Sequence, residues 1–175
     1  MWKVIGCVLL LVGMAGGLYS WVLEQKEKEK RLEQFLRFLQ KSLASMKTEK
    51  IRVVEYFSKY VETYLLSERE SILADALEDI SKRLATNTYP NGQMVWEEVF
   101  QVDAWNFDRE IYSIIVQAGN GFFGRSRVEN ISFLEKSIRD FEIQQKKLKE
   151  QNVQKRKVWI PVGMLGTVML VIIFL

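Results

Sequence analysis

VIGCVLLLVGMAGGLYSWVL, residues 4–23, is an unbroken run of 20 residues without a charge, and VWIPVGMLGTVMLVIIFL, residues 158–175, is a second of 18. Between them lie all 22 acidic residues and every basic residue except Lys3. At ~1.5 Å of helical rise per residue, the first run matches the roughly 30 Å hydrocarbon core of a bilayer, and the second is near the lower limit for a span. The charge pattern therefore predicts a transmembrane helix within 1–23, a cytoplasmic helical domain over 24–157, and a second transmembrane helix over 158–175.

Two other readings of the N-terminal run compete with a span: a cleaved signal peptide, which is the weaker reading, and a lipoprotein signal, which fails on placement. Met1-Trp2-Lys3 resembles a short signal-peptide n-region, but the run exceeds a usual h-region and no Ala-x-Ala site follows. Val4-Ile5-Gly6-Cys7 resembles a lipid-attachment box, yet here the apolar core follows the cysteine instead of preceding it. An uncleaved span is the expectation. Gly13, Gly16 and Gly17 suit close helix packing in a membrane, and Trp21 and Trp159 suit its interfaces. Pro161 is read in the first turn of the second run, where a missing N–H costs little. Lys26, Lys28, Lys30 and Arg31 flank the first run inward, and Lys146, Lys147, Lys149, Lys155, Arg156 and Lys157 flank the second. Only Lys3 lies on the other side. The positive-inside rule places the middle of the chain in the cytoplasm and both ends outside.

The middle reads as all-α, a helical bundle. Leu32, Phe35, Leu36, Leu39, Leu43 and Met46 recur at helical steps, as do Ile51, Val54, Phe57, Val61, Tyr64 and Leu65. A capping box at Ser67–Glu70 opens a helix with Ile72, Leu73, Ala76, Leu77, Ile80 and Leu84 on one face. A turn is expected over Thr86–Gly92. Short helices follow at Met94–Phe100 and Phe107–Gln117, with Val95, Trp96, Val99, Phe100, Ile111, Ile114 and Ile115 as core. Gly119, Gly121 and Gly124 are then expected to break the chain. A second capping box, Ser126–Glu129, opens a long helix with Ile131, Leu134, Ile138, Phe141 and Leu148 near heptad spacing. That helix continues through the basic stretch into the second run.

Chemistry is scarce. The chain has no histidine, which excludes Cys–His zinc sites and Ser–His triads and removes the commonest general base. Its one cysteine, Cys7, forms no disulfide within the chain. Gly119–Ser126, GNGFFGRS, is one residue from a phosphate-binding loop. Arg125 stands where lysine is needed, and the swap changes both shape and hydration. The parallel sheet of that motif is also missing from the pattern, so the stretch reads as a glycine turn before a capped helix. Glu97 with Glu98, and Asp75 with Glu78, read as solvated faces. The basic tract over 146–157 adjoins an apolar run, which favours lipid headgroups over nucleic acid. No catalytic residue, cofactor or metal is expected.

The assembled pattern resembles the stage III sporulation protein AB family of endospore-forming bacteria. The features that carry it are Ile5-Gly6-Cys7-Val8-Leu9-Leu10, the helical run 32–46, Met94-Val95-Trp96-Glu97, and Gly121-Phe122-Phe123-Gly124-Arg125-Ser126 before a long charged helix. Lys155-Arg156-Lys157, Gly163-Met164-Leu165-Gly166 and an apolar end complete it. The sequence departs from the family pattern at Asn120-Gly121 and over 47–53. The resemblance implies a non-enzymatic platform or scaffold subunit in the mother-cell membrane around the forespore. There it would serve a secretion-like channel, with a cytoplasmic domain similar to the type II secretion F protein. Implied partners are other membrane proteins of the stage III assembly, its cytoplasmic ATPase, membrane lipid, and a second copy of the chain as a homo-oligomer. Phe122, Phe123 and Arg125, with exposed faces of the long helix, are the expected contact surface. The rival reading is a membrane-bound signalling module acting through a coiled-coil pairing of that helix.

Overall fold

The computed structural model describes residues 2–48, 52–65, 72–86, 91–101, 105 and 107–174; within them, most side chains of 2–11 and 167–174 and several others in the two apolar runs lie outside the description. The described regular elements are helical. They are α1 (Trp2–Thr48), α2 (Val53–Tyr60), a π-helical turn (Val61–Leu65), α3 (Ile72–Ala85), α4 (Gly92–Phe100), α5 (Arg109–Phe123) and α6 (Arg127–Phe174). The chain is all-α, with six α-helices among the described residues. It divides into two compact units, one of Arg31–Gln144 and one of Met1–Lys30 with Gln145–Leu175.

In the first unit, α2 packs on α3, α3 on α4, and α4 on α5. Trp96 of α4 is fully buried at the centre. Its ring lies 4.4 Å from Phe100, 5.2 Å from Phe122 of α5, and 6.1 Å from both Phe35 of α1 and Phe57 of α2. Phe141 of α6 stacks on Phe35 at 5.1 Å. Five helices therefore meet through aromatic rings, each pair adding ~0.5–1.5 kcal/mol beyond its area burial. The indole N–H of Trp96 does not go unpaired: it donates to the carbonyl of Ile115 at 2.8 Å.

α1 is buried over more of its circumference than its periodicity implies. Leu32, Gln34, Phe35, Leu36, Phe38, Leu39 and Ser42 are all buried, an arc of about 200° at ~100° per residue. Phe38, absent from the expected stripe, stacks on Phe122 at 5.5 Å and meets Tyr60 edge-on at 5.0 Å. Ser42 satisfies its hydroxyl on the Phe38 carbonyl at 2.7 Å. The α3 face expected from sequence is largely observed, with Leu73, Ala76, Leu77 and Ile80 buried and Ile72 and Leu84 half-buried. The Ser67–Glu70 box and Tyr89-Pro90 lie outside the described residues. Asn91 caps α4, its side chain accepting from the Gln93 amide at 3.0 Å.

In the second unit, α1 and α6 pair antiparallel. Leu18 lies against Gly163, and Glu29 accepts a hydrogen bond from Asn152 at 2.7 Å. Advancing from Leu18 to Glu29 moves the partner back from Gly163 to Asn152. A Cβ at position 163 would sit 3.2 Å from Leu18 Cδ1, so glycine there sets the approach. Among the described residues, no helix is long and apolar enough to cross a membrane. Many side chains of the two charge-free runs fall outside that description.

Pro161 requires a correction. The helix runs unbroken from Arg127 to Phe174, so Pro161 is interior and not in a first turn. Its missing N–H leaves the carbonyl of Lys157 without the usual i+4 donor.

Candidate functional site

The region expected to meet partners is the junction of α5 and α6. Gly119 and Gly121 do not break the chain, contrary to the sequence expectation; α5 runs through both to Phe123. Their glycines serve packing. A Cβ at 119 would come within 2.6 Å of Trp96 Cδ1, and one at 121 within 2.6 Å of Leu134 Cγ. Without side chains there, Trp96 reaches the Ile115 carbonyl and Gln93 Nε2 reaches that of Val116 at 3.0 Å. The helical propensity lost at glycine, ~1 kcal/mol each, is offset by those contacts. Gly124 alone ends the helix, with extended backbone at φ −68°, ψ 168°.

The three residues singled out in the sequence diverge in place. Phe122 is only 3% exposed, stacked on Phe38 and edge-on to Phe57 at 5.1 Å. Phe123 is half-buried, its ring against the backbone of Gly92, where a Cβ would overlap it. Arg125 is exposed. The junction therefore offers Arg125 and one edge of Phe123, while Phe122 belongs to the core. Because residues 119–123 are helical, their amides are engaged along α5 and form no phosphate-cradling loop.

The start of α6 was legible in sequence. Ser126 Oγ accepts from the Glu129 amide at 3.2 Å, the N-terminal half of the expected box. Two neighbours were missed. The Arg127 guanidinium donates to the carbonyls of Met46 and Lys47, closing the open C-terminal end of α1. Val128 is 80% exposed, the most exposed large apolar side chain described. Two turns on, Lys47 pairs with Glu135 at 2.8 Å. That hydrogen bond, together with the lysine's charge, holds the Glu135 carboxyl below the usual glutamate range. Arg125, Val128 and Glu129 thus form an exposed patch on a fixed frame: α5 is anchored through Phe122, α6 through Ser126, and the end of α1 through Arg127.

Among the described residues, no group of three or more Cys, Asp or Glu is placed to hold a metal ion. Arg83 bridges Asp79 at 2.9 Å and Glu98 at 3.3 Å, which ties the surfaces of α3 and α4. Glu98, read in sequence as part of a solvated face, is one end of that bridge.

The profile of the stage III sporulation protein AB family matches residues 3–175. The chain belongs to that family. Membership gives the protein a role in stage III sporulation. The match takes in both compact units, so the helical unit and the paired ends are features of one family sequence. No curated protein and no solved structure matches the chain.

Proposed function

We propose that this stage III sporulation AB protein is a non-enzymatic scaffold subunit. Its charge-free ends span the mother-cell membrane, and its unit of residues 31–144 meets partners in the cytoplasm. The observation that carries this reading is an inversion between the two units. In the unit of Met1–Lys30 and Gln145–Leu175, Val12, Val162, Leu165, Met169 and Ile172 are 53–70% exposed, while the one buried residue described is the polar Asn152. Water penalises such a surface by about 25 cal/mol per Å² of apolar area, and hydrocarbon does not. The uncharged runs of 20 and 18 residues and the basic flanks support the same orientation.

The partners carried over from the family resemblance are the other membrane proteins of the assembly and its cytoplasmic ATPase. Contact is assigned to the patch of Arg125, Val128 and Glu129 with the edge of Phe123. The signalling alternative needs a free heptad seam on the long helix. Leu134, Ile138 and Phe141 are buried within the chain's own unit, and Phe141 already stacks on Phe35. That disfavours pairing with a second copy through this seam.

The test is mild detergent extraction from sporulating cells and identification of proteins retained with the full chain. Arg125→Ala combined with Val128→Asp is expected to lose partner proteins while the chain's helical signal and melting are unchanged. Retention of the same partners by that variant would refute the assigned patch. A reporter enzyme inserted mid-chain and active only outside the cell would refute the orientation.

A further inference from the structure

The two units differ in charge as well as in surface. Met1–Lys30 and Gln145–Leu175 contain ten basic and four acidic residues, a net of +6, against fifteen and eighteen in Arg31–Gln144, a net of −3. The surplus sits on one helix. Residues 24–30 of α1 balance three lysines with three glutamates, whereas residues 145–157 of α6 set six basic residues against Glu150 alone. Lys146, Lys147, Lys149, Lys155 and Lys157 are all exposed. At 100° per residue, Lys146, Lys149 and Lys157 fall on one face of α6, around Val153, which is 52% exposed. Arg156 is half-buried, and its Nε has no hydrogen-bond acceptor among the described residues. Directly beyond Lys157 the charge-free run begins.

We propose that the basic residues of this α6 segment bind anionic phospholipid headgroups, Lys146, Lys149 and Lys157 along one stripe and Lys155 on the opposite face, with Lys155, Arg156 and Lys157 making the closest contacts. The inference rests on the membrane reading above and deepens it by naming the lipid. A phosphodiester supplies the counter-charge that Glu150 alone does not provide to six basic residues. Distance grades the stripe. Lys157 borders the apolar run, while Lys146 is eleven residues away, about 16 Å along the helix, beyond a Debye length of ~8 Å. The inner triad therefore outweighs Lys146, Lys147 and Lys149.

The full chain is purified in a neutral detergent, and bound lipid is counted by native mass spectrometry after mixing with equal phosphatidylglycerol and phosphatidylcholine. Wild type is expected to retain phosphatidylglycerol at least tenfold over phosphatidylcholine, and to lose that preference in high salt. Lys155→Gln, Arg156→Gln and Lys157→Gln together are expected to reduce it at least tenfold, and Gln at 146, 147 and 149 only two- to threefold. Equal retention of both lipids by wild type would overturn the proposal. So would tighter binding of a duplex oligonucleotide that the inner triad variant abolishes, since the stripe would then be a nucleic-acid surface. A separate arm reconstitutes the chain into vesicles and washes them with alkaline carbonate. Release from the vesicles would bring down the membrane reading itself, whereas retention without lipid preference brings down only the stripe.

Discussion

The unit of Arg31–Gln144 and the unit of the paired helix ends solve opposite problems with the same secondary structure. The first surrounds Trp96 with rings from α1, α2, α4 and α5 and turns its ion pairs outward. The second turns Leu165 and Met169 outward and keeps Asn152 inside, hydrogen-bonded to Glu29. Burial of apolar area stabilises the first. In the second, a polar contact and a glycine, Gly163, set which residues of α1 and α6 face each other. A buried polar contact of this sort specifies register more than it stabilises. Helical content alone therefore says little about what holds a helix in place.

The contrast can be broken most directly at its centre. Trp96→Ala removes the ring that packs against rings of α1, α2, α4 and α5 and leaves a large cavity, so a loss of ~3–5 kcal/mol is expected. Denaturant unfolding of the full chain in detergent would read it; a loss under 1 kcal/mol would mean that the aromatic cluster is not the core. Phe122→Ala should fall in the same range, for the same reason. Arg125→Ala, three residues on and exposed, should stay within about 0.5 kcal/mol. Similar losses at 122 and 125 would erase the distinction drawn between core and surface at the α5–α6 junction.

Gly119→Ala gains helical propensity but drives a methyl into Trp96 and Gln93, and a net loss of ~1–3 kcal/mol is expected. Stabilisation instead would mean that the glycine is not needed for the approach of α4. In the other unit, Asn152→Ala removes the donor to Glu29. Glu29 is half-exposed and can turn to water, so the expected cost is only ~1 kcal/mol. Cysteine cross-linking between positions 18 and 163 would show whether the pairing also loses its register.

The smallest effect expected is electrostatic. Glu135 is held below the usual glutamate range by Lys47. The unfolded chain therefore binds its proton more readily than the folded one. The stabilising contribution is fully present at neutral pH, above the ordinary glutamate value, and is lost as pH falls through the lowered folded value. Lys47→Ala should lower the neutral-pH midpoint slightly, because both partners are partly exposed, and leave stability in acid unchanged, which flattens the acid limb. An unchanged acid limb in the variant would remove the pair from the account.

Much of the first unit was legible in sequence. The three- and four-residue steps located α3, and Trp96, Phe100, Ile111, Ile114 and Ile115 were all recognised as core and are all buried. The Ser126 cap was also legible, because it depends on residues within one turn. The errors share a cause. Phe38 was passed over because a periodicity argument allots a helix one buried stripe, and α1 is enclosed on more than one side. Gly119 and Gly121 were read as breakers because helix propensity is local, whereas their use depends on Trp96 and Leu134 arriving from other elements. Phe122 was placed on a surface because nothing in a Gly-Phe-Phe-Gly string tells which ring points inward.

By itself the sequence determined that this protein is helical, that its charge is confined to the middle, and where the long helix begins. Each is a property of neighbours along the chain, fixed by hydrogen bonds and side chains within a turn or two. Only the tertiary structure decided that rings of four helices converge on one tryptophan, that two glycines are approach points, and that an asparagine is buried between the helix ends. Those outcomes depend on which surfaces meet, and close packing of side chains distant in sequence selects them.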